Sequence, residues 1–132
     1  MKVITGVDAI GSVVYAVGAK VTANGREGTV MKLGASTLEE VPNSPYVPLC
    51  TVGWAAAKTE PLNAVKLSQA APDNVFVAGQ CGVLWELAGG VWSRHRSETS
   101  AHIRHLSVVS NGRVYTSAWR DNEIHSCITR LK

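Results

Sequence analysis

An all-β fold, built as an array of four-stranded antiparallel sheets, is what this sequence predicts, and three observations predict it. Short runs rich in Val, Ile, Thr and Tyr recur along the chain between clusters of Gly, Pro, Asn and Asp, which is strand-and-turn punctuation. Three of these runs share an aromatic second residue: "VYAVG" (Val14–Gly18), "VFVAG" (Val75–Gly79) and "VYTSA" (Val114–Ala118). Helical signals are poor. The only candidates are "STLEE" (Ser36–Glu40), followed by Val-Pro, and "GWAAAKTE" (Gly53–Glu60), which Pro61 stops.

The runs belong to longer repeats separated by insertions. After the first run come "AKVTANGRE" and then "GTVMKL" (Gly28–Leu33); after the second, "QC" leads directly to "GVLWEL" (Gly82–Leu87). From there the two copies keep a constant separation of 54, which places Leu38 on Trp92, Leu49 on Ile103, Val52 on Leu106 and Trp54 on Val108. In the third copy Glu123–Ile128 takes the place of "GVLWEL". Each unit therefore reads as four short strands.

The second unit is the clearest. It runs through an inner strand, then "NVFVAG", "GVLWEL" and "VWSRHRS", with breaks at "APD", "QCG", "AGG" and "ETSAH". The pair Gly89-Gly90 between two β-rich runs is a hairpin signature. Two segments compete for the inner strand, 49–56, which begins inside "PLCTVGWA", and 61–69, "PLNAVKLSQ". The expected organisation is one domain with units at 1–46, 47–97 and 98–132.

A unit of ~40 residues with four strands has the period of a β-propeller blade. The strand of type aromatic-Ala-Val-Gly, the Gly-x-Val strand and the Gly-x-x-Trp step resemble sialidase-like (BNR-like) and photosynthesis-assembly-type propeller repeats. In this chain they are carried by "VYAVG…GTVMKL" and "VFVAGQCGVLWELAGGVW". The resemblance covers most of the chain and implies a partial propeller of about three blades. The Ser-x-Asp-x-Gly-x-Thr-Trp turn of catalytic sialidases is missing: "GGVWSRHRS" keeps the tryptophan but has no aspartate at the expected place. The resemblance therefore carries no sialidase activity with it.

An open arc of three blades leaves two sheet faces to water. The expected remedy is a homo-oligomer, with two chains supplying six blades by cyclic symmetry. An N-terminal segment such as "MKVITG" could supply an outer strand missing at the C-terminus, from the same or a neighbouring chain. The competing expectation is a compact monomeric β-sandwich or barrel.

The totals restrict function. With 132 residues, 45% apolar and 17% charged, the chain is a globular protein with a real core. Its net charge of +3 comes from scattered residues, so Arg94, Arg96, Arg104 and Arg113 read as a solvated face and nucleic acid is not an expected partner. No run is long and apolar enough for a membrane span, and no secretory leader is evident. The expected location is the cytoplasm or an assembled particle. Cys50, Cys81 and Cys127 are an odd number without C-x-x-C spacing, so free thiols in a reducing compartment are expected.

Among polar residues, Trp85, Glu86, Trp92 and Arg94 form the candidate ligand-binding set, able to stack on a sugar face and bond its hydroxyls. The competing role for the aromatics is to fill space between packed sheets. His95, His102, His105 and His125 raise the question of a metal. "HIRH" puts its two rings on opposite sides of a strand, and His125 with Cys127 lacks further ligands at any suitable spacing. No metal or cofactor is expected. Cys81, in "GQCG", has no identifiable base, Glu39 and Glu40 fall on opposite strand faces, and "GREG" and "LGAS" lack a phosphate-binding context. The inner strands offer Lys66, Arg104 and His105 but no carboxylate, which counts against an enzyme. The expected function is a non-enzymatic binding or assembly module with no catalytic residue, a structural component of a larger complex such as a virion. Its alternatives are a glycan-binding lectin-like propeller and a propeller-scaffold hydrolase or lyase.

Overall fold

A computed structural model describes residues 2–23, 25–42, 62–69, 71, 73–95, 102–108, 113–120 and 123–130. Its strands form three antiparallel sheets, each with its strands in sequence order. The first sheet holds β1 (Lys2–Ile10), β2 (Val13–Thr22), β3 (Gly25–Leu33) and β4 (Leu38–Glu40). The second holds β5 (Leu62–Leu67), β6 (Val75–Gly79), β7 (Leu84–Ala88) and β8 (Val91–His95). The third holds β9 (His102–Val108), β10 (Arg113–Arg120) and β11 (Glu123–Arg130). The all-β expectation holds.

The turns explain the connectivity. Ala88 pairs with Val91 across Gly89 and Gly90, whose φ values of 58° and 78° meet the demand of a type I′ hairpin for two left-handed residues. Gly11, at φ 60°, opens the two-residue turn between Ile10 and Val13 in the same way. Between β6 and β7 a single 3₁₀ turn, Gln80–Gly82, is closed by the Val83 N–H donating to the Gln80 carbonyl at 3.3 Å.

The repeat inferred from spacing is a repeat of register. Leu33 pairs with Leu38 as Leu87 pairs with Trp92, and Met31 pairs with Glu40 as Trp85 pairs with Arg94. "STLEE" contributes Leu38–Glu40 as a strand, correcting its candidacy as a helix: the reversal at Gly34, whose N–H donates to the Thr37 carbonyl at 2.8 Å, commits it to pairing with β3. "GWAAAKTE", the pairings proposed for Leu49, Val52 and Trp54, and segment 49–56 lie outside the described residues. The inner strand of the second sheet is Leu62–Leu67, which falls in the second of the two candidate segments. The segment "MKVITG" has a place of its own within the chain. Its residues from Lys2 onward form β1, the first strand of the first sheet, paired along one side with β2.

The sheets stack through two apolar junctions. Tyr15, Val17 and Val30 of the first sheet pack with Val65, Leu67, Val75, Val77 and Leu87 of the second. The opposite face of the second sheet, with Phe76, Ala78 and Leu84, packs with Ile103 and Val114 of the third. Strand alternation makes this possible, since neighbours such as Phe76 and Val77 point to opposite faces. With both faces covered, β6 is buried at every residue, the condition under which a strand becomes a continuous apolar run.

Candidate functional site

The first strands of the three sheets, β1, β5 and β9, lie side by side with β5 in the middle. Each carries a bulge at the same place. Pairing skips Thr5 between Ile4↔Gly18 and Gly6↔Val17, Asn63 between Leu62↔Gly79 and Ala64↔Ala78, and Arg104 between Ile103↔Ala118 and His105↔Ser117. A bulge leaves one residue out of the ladder and re-aims its side chain. Here the side chain of one sheet is aimed at the next. Thr5 Oγ1 donates to the Leu62 carbonyl at 2.6 Å, and Asn63 Nδ2 donates to the Ile103 carbonyl at 3.0 Å. Leu62 and Ile103 are the residues just before the bulge in their own strands, so the same bond recurs one sheet further on.

Close approach at these joints depends on glycine. A Cβ on Gly6 would stand 3.0 Å from the Asn63 carbonyl oxygen and 3.2 Å from Val17 Cγ2. A Cβ on Gly18 would collide with the Val3 carbonyl of the adjacent strand.

Along these strands runs a polar cleft of about 230 Å³, lined in part by Thr5, Asp8, Asn63, Lys66, Arg104 and His105. Lys66, Arg104 and His105 are the polar residues expected on inner strands, where no carboxylate is expected beside them. The structure brings Asp8 to the same cleft from β1. Asp8 Oδ2 accepts the Leu67 backbone N–H at 2.8 Å and lies 3.8 Å from Lys66 Nζ. This carboxylate fastens the first sheet to the second. Its signal in the sequence was available only once "MKVITG" and the residues after it are read as an inner strand.

The candidate ligand-binding set is divided by strand alternation. Trp85 pairs with Arg94 and Leu87 with Trp92, so Trp85, Trp92 and Arg94 share the face toward the first sheet. Both tryptophans are half-buried against the first junction, and their Nε1 atoms are buried without a hydrogen-bond partner among the described residues. Glu86 pairs with Ser93 on the opposite face. There Glu86 Oε1 lies 2.8 Å from His95 Nε2, and the His95 ring is 6.3 Å from Phe76. The structure therefore brings three of the four residues to one face and gives Glu86 a different partner.

At the far side of the first sheet, Glu40 gathers Lys20 at 3.4 Å, Lys2 at 3.8 Å and the Thr29 hydroxyl at 3.4 Å. Partial burial pushes the Glu40 carboxyl up, but the two ammonium groups and the hydrogen bonds from Lys20 and Thr29 outweigh it and hold the carboxyl below its usual value. Lys32 bonds Asp73 at 3.0 Å, tying the first sheet to the loop before β6, and its ammonium lies 5.5 Å from the centre of the Tyr15 ring. The hydrogen bond to Asp73, opposed by desolvation and aided by Tyr15, raises the Lys32 pKa.

Of the histidines, His95 is bound to Glu86 and His105 lines the cleft; among the described residues no group of three or more His, Cys, Asp or Glu gathers as a metal site. Arg94 and Arg104 are exposed on separate sheets. No helix among the described residues is long and apolar enough to cross a membrane. No family model, no curated protein and no solved structure matches this chain.

Proposed function

We propose that this chain is a non-enzymatic assembly and binding module, an arc of three propeller-type blades that closes its ring with a second copy of itself and serves as a structural part of a larger complex. The observation that carries this reading is the bulge repeated at Thr5, Asn63 and Arg104, with its sheet-to-sheet hydrogen bond repeated from Thr5 to Leu62 and from Asn63 to Ile103. A joint that propagates by one rule from sheet to sheet belongs to an array, and an array of this period closes as a ring of four to eight units. Two copies supply six.

The Asp8 carboxylate of the cleft serves as a fastener between sheets, accepting from Leu67 and lying near Lys66 through one oxygen, which suits an assembly module. Light scattering coupled to size exclusion tests the reading. The expected result is a particle of twice the 14.0 kDa chain mass that persists on dilution; a monomer at all concentrations overturns it.

A further inference from the structure

The register repeats more than the bulge. Counting on from it, Asp8, Lys66 and Ser107 occupy one position on their first strands, opposite Tyr15, Phe76 and Tyr115. Ala9, Leu67 and Val108 occupy the next. At the joint between the first and second sheets this position holds a bond. Tyr15 packs toward the second sheet, and cross-strand partners share a face, so Asp8 is aimed at β5, where its carboxylate accepts the Leu67 N–H. Leu67 has that N–H to give because its own ladder does not use it. The Ser68 N–H donates to the Asn74 carbonyl at 3.0 Å, which marks Leu67↔Val75 as a pair without mutual hydrogen bonds.

The joint between the second and third sheets repeats the donor but not the acceptor. Val108↔Val114 stands at the same count from the Arg104 bulge as Leu67↔Val75 from the Asn63 bulge. The alternation of the ladder therefore turns the Val108 N–H out toward β5. Phe76 packs toward the third sheet, and Lys66 shares its face. The side chain in place to meet the Val108 N–H is thus a cation. Its Nζ lies back beside Asp8 at 3.8 Å, beyond hydrogen-bond range. The polar cleft runs beside this position, lined by Lys66 on β5 and by Arg104, His105 and Leu106 on β9. Arg104 is engaged within the chain, so it adds charge to the cleft and not a free donor.

We infer that this second joint is a binding site for a small free carboxylate, which supplies the acceptor that Lys66 cannot. One ligand oxygen accepts the Val108 N–H, as Asp8 Oδ2 accepts that of Leu67. The other accepts from the Lys66 ammonium, a charge-assisted bond. Lys66 has only to turn from Asp8, with which it makes no close contact. The cleft volume of about 230 Å³ falls below the ~300 Å³ at which pockets for drug-sized molecules begin, which restricts the ligand to a few heavy atoms. Both sheets belong to one chain, so the site goes beyond the ring-closing reading and stands without it.

Amide NMR of the isotope-labelled full chain tests this, with acetate and succinate as probes and sodium chloride at equal ionic strength as the control. The Val108 amide should shift saturably with either carboxylate, while that of Leu67, already bonded to Asp8, should stay. In Lys66→Met the half-saturating concentration should rise at least about tenfold, the worth of one charge-assisted bond. Lys66→Asp puts the chain's own carboxylate at the position equivalent to Asp8. It should slow hydrogen exchange at Val108 and abolish the response to acetate. No saturable shift at Val108, equal shifts at Leu67 and Val108, or an unchanged response in Lys66→Met overturns the site. A response to a blocked glutamyl peptide with none to acetate or succinate puts the carboxylate on a protein partner and overturns the free ligand. A chain that is monomeric by light scattering yet gives the Val108 shift overturns the ring-closing reading alone.

Discussion

The Asp8 carboxylate accepts the backbone N–H of Leu67 at 2.8 Å, across the joint between the first and second sheets. Hydrogen bonds to charged acceptors are worth about 1.5–3 kcal/mol, and losing the acceptor leaves a partly buried N–H unpaired. Asp8→Ala should therefore lower unfolding free energy by about 1.5–3 kcal/mol in urea titrations, whereas Asp8→Asn, which keeps an acceptor oxygen, should cost about half of that or less. Equal losses in both variants would assign the effect to the charge and the Lys66 pair instead.

Gly18 and Gly89 separate two uses of glycine. At Gly18 an added methyl meets the Val3 carbonyl, so Gly18→Ala must push β1 from β2 and should cost about 1–3 kcal/mol. At Gly89 there is open space, but φ is 58°, and Gly89→Ala should cost about 1 kcal/mol through backbone conformation alone. Gly89→Asn, which tolerates this conformation, should recover most of that loss.

Leu84 is fully buried in the second junction. Leu84→Ala removes apolar area and leaves a cavity, for an expected loss of about 2–5 kcal/mol. Leu33, half-turned to solvent, should lose well under about 1 kcal/mol in the same substitution. Thermal and urea midpoints measure both.

Trp85 and Trp92 each bury an indole N–H with no acceptor among the described residues. Replacement by Phe removes an unmet donor along with some apolar area, two effects of opposite sign of about 1–3 kcal/mol each. Trp85→Phe and Trp92→Phe should therefore stay within about 1 kcal/mol of the parent. A loss as large as that of Leu84→Ala would show that the N–H is satisfied in solution.

Acid should release the Glu40 cluster. Its carboxyl is held below its usual value of 4.5 in the folded chain, so its contribution is present above the unfolded value and is lost as pH falls through the folded one. The groups are well exposed, which limits the contribution to about 0.2–1 kcal/mol. Lys32 acts in the opposite direction: its pKa is raised above 10.5, so its contribution is full below that value and is lost as pH rises through the folded pKa. The stability difference between the parent and Glu40→Gln should therefore shrink on moving from neutral pH to pH 3, and 1 M salt should shrink it at neutral pH.

Gly89-Gly90 was legible in the sequence because a type I′ turn has a strict residue requirement, and the repeat was legible because Leu33↔Leu38 and Leu87↔Trp92 preserve one spacing. The second inner strand was not, because both candidates are short apolar runs and the choice rests on pairing across the Asn63 bulge. The Thr5, Asn63 and Arg104 series was hidden as well. The joint needs only a side-chain donor of suitable reach, and Thr5 and Asn63 meet that need with unrelated residue types. Asp8 was missed with β1, whose exposed, glycine-interrupted pattern resembles a free tail.

Among the described residues every strand pairs only with a sequence neighbour, and no strand passes from one sheet to another. Loops closing such ladders are short, so their entropic cost is low for an all-β protein. Folding can then begin in any sheet and spread by docking, as in linear repeat proteins. The same locality makes the sheet a separable unit: duplicating or deleting one changes the stack by a whole sheet and leaves the remaining hydrogen-bond ladders intact.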